Sequence, residues 1–155
     1  MGQPGFDAAA GHRFFSSDGF NKTWELLDKS ERSPDDDEQM LLRATASLWH
    51  WTQRPDATSE NLSVGYWLVS RVHAVAGCAE EAVRYGELAL AEAGKPGVAT
   101  YAGAYAHEAL ARAHAAAGRR KQAADHLALA RRASDRLTDE ETKRLLLADL
   151  GTITV

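Results

Sequence analysis

Residues 69–91 read VSRVHAVAGCAEEAVRYGELALA, and residues 110–132 read LARAHAAAGRRKQAADHLALARR. Laid over one another at an offset of 41 residues, the two stretches agree at Arg71/Arg112, His73/His114, Ala74/Ala115, Ala76/Ala117, Gly77/Gly118, Ala82/Ala123, Leu88/Leu129 and Ala89/Ala130, with Val69/Leu110 pairing two branched aliphatics. Each copy carries small and apolar residues at spacings of three and four on both sides of its glycine, the pattern of helix, tight turn, helix. A segment that repeats with such a period buries its apolar face on a neighbouring copy, so the repeat predicts an all-α chain of stacked antiparallel hairpins.

The same spacing continues outward. Phe20, Trp24 and Leu27 make one stripe, with Asp18 or Asn21 as the cap of a first helix that ends before Ser33-Pro34, since proline disfavours helix in the residue before it. The carboxylates of Asp35, Asp36, Asp37 and Glu38 open a second helix of about residues 34–53, where they meet the positive end of its dipole. Further helices are predicted over about 60–76, 79–93, 99–117 and 121–135, and Thr138 with Glu141 forms a capping box for a seventh ending near Leu150. Residues 1–17, rich in Gly, Ala and Phe, read as an irregular lead-in whose Phe6, Phe14 and Phe15 fold back on the body, which leaves 18–155 as one helical domain.

Composition sets limits on function. At 155 residues, 45% hydrophobic and 26% charged, the chain has the make-up of one globular domain. A net charge of −4 and the lack of any basic run longer than Arg119-Arg120-Lys121 argue against a nucleic-acid partner. Cys78 is the only cysteine, so no intrachain disulfide can form, and a cytoplasmic location is expected. Neither a signal sequence nor a membrane-spanning stretch is evident.

Helices three to six resemble the tetratricopeptide repeat over residues 60–94 and 99–135. In the second copy Leu110, Ala111, Gly118, Ala123, Leu127 and Ala130 stand where that motif puts its large residue, small residue, turn glycine and second-helix residues; in the first, Val69, Ser70, Gly77, Ala82 and Ala89 do, with Gly86 at a usually bulky position. The departures are a period of 41 in place of 34, His73 and His114 at the usual aromatic position, and no closing proline. The resemblance implies an α-α superhelix of about seven helices, with helices one, two and seven as caps. It also implies that the first helix of each hairpin lines a concave face, which puts Trp67 and Arg71 beside Tyr105, Glu108 and Arg112. An aromatic ring with two guanidinium groups can cradle a carboxylate, because arginine donates as a bidentate fork. The alternative for Glu108 and Arg112 is a helix-surface pair worth about 0.3–0.5 kcal/mol.

Other residues offer less. His50, His107 and His114 are candidate metal ligands, but none of the familiar ligand spacings joins them, and His73/His114 share a repeat position as packing residues do. Trp49-His50-Trp51 cannot all face one core, so one indole meets a neighbour and the other lies exposed; sealing the cap helix is expected ahead of walling a pocket. Cys78 sits in a turn opposite Arg119, a surface position. No phosphate loop, nucleophile elbow or HExxH helix occurs, and no cofactor is indicated.

Two functions follow as expectations. The first is a module that binds a protein or peptide on its concave face through Trp67, Arg71, Tyr105, Glu108 and Arg112, with a carboxylate as one anchor. The second is a small-molecule or metal-dependent enzyme with a closed polar pocket using His50, His107 and Glu108. A homo-oligomer whose concave face is filled by its twin is a third arrangement.

Overall fold

The computed structural model describes residues 5–155, which form seven helices and, among the described residues, no strand. They are α1 (Ala8–Leu27), α2 (Pro34–Thr52), α3 (Ser59–Val75), α4 (Ala79–Ala93), α5 (Thr100–Ala116), α6 (Arg120–Ser134) and α7 (Glu140–Gly151). Each packs against the next in the chain, and the odd-numbered helices also touch one another in order: α1 on α3, α3 on α5, α5 on α7. The even-numbered helices do not meet. The odd helices therefore make a row that is inner in the chain of contacts, while α2, α4 and α6 touch only their sequence neighbours.

The two glycine turns are copies in their hydrogen bonds as well as their sequence. Gly77 and Gly118 adopt φ of 81° and 71°, the left-handed conformation that glycine enters without steric cost. Behind them Cys78 N–H donates to the His73 carbonyl at 2.8 Å and Gly77 N–H to that of Ala74; Arg119 N–H donates to His114 at 2.9 Å and Gly118 N–H to Ala115. This paired closure satisfies the last carbonyls of α3 and α5.

Small residues mark the crossings. Ser70, Ala82, Ala89, Ala111, Ala123 and Ala130 are all fully buried, and Ser70 Oγ donates to the Ala82 carbonyl at 2.6 Å. Gly86 departs from the repeat pattern because α4 meets α5 there: a Cβ on it would lie 2.9 Å from Leu110 Cδ2. Leu110, the large residue of the second copy, fills the space that a large residue at position 86 would need.

The N-terminal reading needs correction. The lead-in assigned to residues 1–17 is helical from Ala8 onward, with Asp7 rather than Asp18 or Asn21 as the cap; its carboxylate accepts from Ala10 N–H at 3.1 Å. Ala8–Ala10 are strong helix formers directly after that cap. Phe6, Phe14 and Phe15 do not fold back, being 68%, 59% and 50% exposed. What α1 buries in that half is polar: Ser16 accepts from Arg54 Nη1, and its carbonyl accepts from Ser47 Oγ at 2.6 Å. Residues 1–4 lie outside the described part. The cap of α7 is Asp139 rather than Thr138, and α3 is capped by Thr58 in a box with Asn61. No helix among the described residues is long and apolar enough to cross a membrane.

Candidate functional site

The inner row brings Trp67, Arg71, Tyr105, Glu108 and Arg112 into one cluster. Trp67 and Glu108 stand one repeat apart, on the facing sides of α3 and α5, and the indole Nε1–H donates to Glu108 Oε2 at 2.6 Å. Arg112 Nε donates to Glu108 Oε1 at 2.8 Å. Glu108 has no exposed surface, so it is a buried carboxylate held by an indole and a guanidinium, and the helix-surface pair is ruled out.

Helix α7 completes the cluster. Arg112 Nη2 donates to the Asp149 carbonyl at 3.1 Å and to Thr152 Oγ1 at 2.9 Å. Arg71 Nη1 lies 2.9 Å from Asp149 Oδ1 and 3.8 Å from Glu108 Oε1. Neither oxygen is in line with an N–H of that nitrogen, which is buried and makes no hydrogen bond. The same guanidinium stands 5.0 Å above the Trp24 ring and 5.8 Å from that of Trp67. Arg71 is thus ion-paired, stacked, and short of a hydrogen-bond acceptor.

A cleft lies beside the cluster and shares Trp67 and Tyr105 with it. Because α1 packs on α2 and only brushes α3, its Phe20 and Trp24 face Tyr101 and Tyr105 of α5 across a floor of Val64 and Trp67. The inner part is a hollow of about 180 Å³ among those six side chains. It adjoins a second hollow of about 280 Å³, which shares Phe20, Val64 and Tyr101 and adds Ser17, Asn21, Trp51 and Asn61. Trp67 and Tyr105 meet edge to face, with ring centroids 5.2 Å apart. Burial, with the carboxylates of Asp149 and Glu108 nearby, pushes the Tyr105 phenol up to about 12. Tyr101 is also pushed up to about 12, by burial and by its 2.5 Å hydrogen bond to Glu60 Oε1.

The histidines lie elsewhere. His50 and His12 approach at 2.9 Å between their Nδ1 atoms on the α1–α2 hairpin, one ring donating to the other. His107 and His126 do the same at 3.1 Å between α5 and α6, with His114 stacked on His126. His73 stacks on Tyr85 in the first copy as His114 does on His126 in the second, so both serve one packing position. No group of three or more His, Cys, Asp or Glu among the described residues is placed to hold a metal ion.

In Trp49-His50-Trp51, Trp51 walls the outer hollow rather than sealing the cap, with the Arg54 guanidinium 3.8 Å over its ring, while Trp49 is 53% exposed. Cys78 is an exposed free thiol in its turn. Sequence reasoning missed Tyr101, Val64, Asn21, Asn61 and Asp149. Tyr101 could have been found one helical turn before Tyr105, and Val64 one turn before Trp67. Neither a family model, nor a curated protein, nor a solved structure matches the chain.

Proposed function

We propose that the chain is a divergent tetratricopeptide-like helical-repeat module whose odd helices form the inner face of an α-α superhelix, and that it binds an extended peptide or protein segment in the aromatic cleft along that face. The observation that carries this reading is the continuity of the cleft: two adjoining hollows between α1 and α5, floored by α3, share Phe20, Val64 and Tyr101, and the inner one is walled by Trp67 and Tyr105. Two small aromatic hollows in a row suit successive side chains of an extended chain, and Asn21 and Asn61 at the outer end offer amides to its backbone.

Within this reading the working set is Trp67 and Tyr105 from the inner row, joined by Phe20, Trp24 and Tyr101. Arg71, Glu108 and Arg112 lie beside them and hold α3, α5 and α7 in register. The enzyme reading has less support, since His50, His107 and Glu108 sit in three separate places and none lines the cleft. The exposed Cys78 thiol suits a reducing, cytoplasmic setting.

The test is selection of random displayed peptides on the immobilised protein, followed by titration of the selected peptides against the wild type and Val64→Trp. Val64 lines both hollows, so an indole there fills them and binding should be lost. Selected peptides that bind Val64→Trp as tightly as the wild type would place the binding surface elsewhere.

A further inference from the structure

Of the two histidine pairs that bring their Nδ1 atoms together, one belongs to the repeat and the other does not. His107 and His126 stand one period beyond Tyr66 and Tyr85, and the rings keep the same contact: Tyr66 lies on Tyr85 with centroids 6.2 Å apart, and His107 lies on His126 at 5.3 Å. Tyrosines, which cannot replace an imidazole as a ligand here, fill those places in the first copy, so packing accounts for that pair. His12 and His50 join α1 to α2 ahead of the repeats, and the residues one period beyond them, Gln53 and Ala91, carry no ring. Their pair continues a polar seam, in which the Ser16 carbonyl accepts from Ser47 Oγ and the Ser16 hydroxyl from Arg54.

We propose that His12 and His50 are the protein ligands of a site for a divalent late transition-metal ion, copper(II) or nickel(II). Their Nδ1 atoms are 2.9 Å apart. Two nitrogens that each lie about 2.0–2.1 Å from one ion stand about 2.9 Å apart when they meet it at a right angle, and about 3.3 Å apart at the tetrahedral angle that zinc prefers. The observed spacing is that of neighbouring corners of a square-planar or octahedral ion, the geometry of copper(II) and nickel(II) with nitrogen and oxygen ligands. Both rings are half-buried, so solvent reaches the pair; no third His, Cys, Asp or Glu among the described residues converges there, and water fills the other corners. As the pair stands, one ring donates its Nδ1–H to the other. On binding, the donor ring gives up that proton and takes one at Nε2, which frees both Nδ1 lone pairs with no change in the charge of either ring. An ion at this point ties α1 to α2 and steadies the helix that carries Phe20 and Trp24 into the cleft.

The experiment uses the full chain without a histidine tag, titrated with nickel(II) or copper(II) alone by calorimetry, while the tryptophan indole N–H signals are followed by NMR. The Trp49 ring lies 5.4 Å from that of His12 and 4.8 Å from that of His50, so its signal reports on the site. One ion should bind per chain, and the paramagnetic ion should broaden the Trp49 signal ahead of those of Trp24 and Trp67. His12→Phe and His50→Phe should each weaken binding at least about tenfold, since a single imidazole remains. His12→Gln and His50→Gln keep a polar side chain in the seam and should show the same loss, which covers the case in which phenylalanine disturbs the hairpin. His107→Phe, which breaks the pair within the repeat, should leave binding unchanged. Failure of the wild type to bind either ion would overturn the site, as would undiminished binding in His12→Gln and His50→Gln. Binding that is lost with His107→Phe instead would assign the ion to the other pair and overturn this one.

Discussion

Arg112→Ala puts the buried cluster to its most direct test. The substitution leaves Glu108, which has no exposed surface, without its guanidinium partner. Removing one partner of a buried ion pair costs about 3–5 kcal/mol. Because 15% of the Arg112 side chain is exposed, water reaches part of the vacated space, and the lower end of about 3 kcal/mol applies. The bonds from Nη2 to the Asp149 carbonyl and Thr152 hydroxyl add about 1 kcal/mol between them, since the second is solvent-exposed. The expected loss is about 4 kcal/mol, and in a chain of this length each kcal/mol lowers Tm by about 2–4 °C. Differential scanning calorimetry should therefore show a fall of about 8–16 °C. Glu108→Gln in the Arg112→Ala background should cost far less than in the wild type, with a coupling of about 2 kcal/mol. A fall of less than about 2 °C, the figure for a solvent-screened pair at i, i+4, would refute the burial of this network.

Two further outcomes can be measured on the unmodified protein. Burial is the first cause that holds His50, His73, His107, His114 and His126 below their ordinary value of 6.5. The unfolded chain therefore takes up protons first as pH falls through 6.5, and urea midpoints should drop from pH 7.5 to pH 5.5; a midpoint that rises over this range would contradict the burial of these rings. Tyr101 and Tyr105 are pushed up to about 12, so ultraviolet titration at pH 11 should leave at least two phenols protonated while the circular dichroism stays native. Ionisation of Tyr101 and Tyr105 near pH 10 would mean that the cleft wall is wet.

Gly77 and Gly118 were legible in the sequence because the turn that closes each first helix needs a left-handed residue, and glycine is the one that takes it without strain. The start of α1 was not. Before Phe20, α1 buries Ser16 under hydrogen bonds while Phe14 and Phe15 are exposed, so no apolar stripe marks the first half of the helix. Trp67, Arg71, Glu108 and Arg112 could be set side by side from the repeat alone, since parallel neighbours in a stack meet their counterparts one period away. The burial of Glu108 could not, because it depends on α7 lying over the inner row. Asp149 lies in a helix outside both copies, 37 residues beyond Arg112, and nothing local ties it to either arginine. The stack of His73 on Tyr85 has its counterpart in His114 on His126, but tyrosine and histidine are not an identity, so that pairing surfaced only in three dimensions.

The pattern of helix contacts has a kinetic consequence. Every contact between elements joins a helix to the next in sequence or to the next odd helix, so no pair of distant segments must find each other before the rest can form. Low contact order of this kind goes with folding in microseconds to milliseconds, nucleated in whichever hairpin closes first. The tightly joined α3–α5 region should be the last to open in hydrogen exchange. The α1–α3 seam, where packing is thinnest, should open at far lower free energy than the whole domain. The cleft runs along that seam, so a partner can enter through local breathing of α1 while the rest of the stack stays folded.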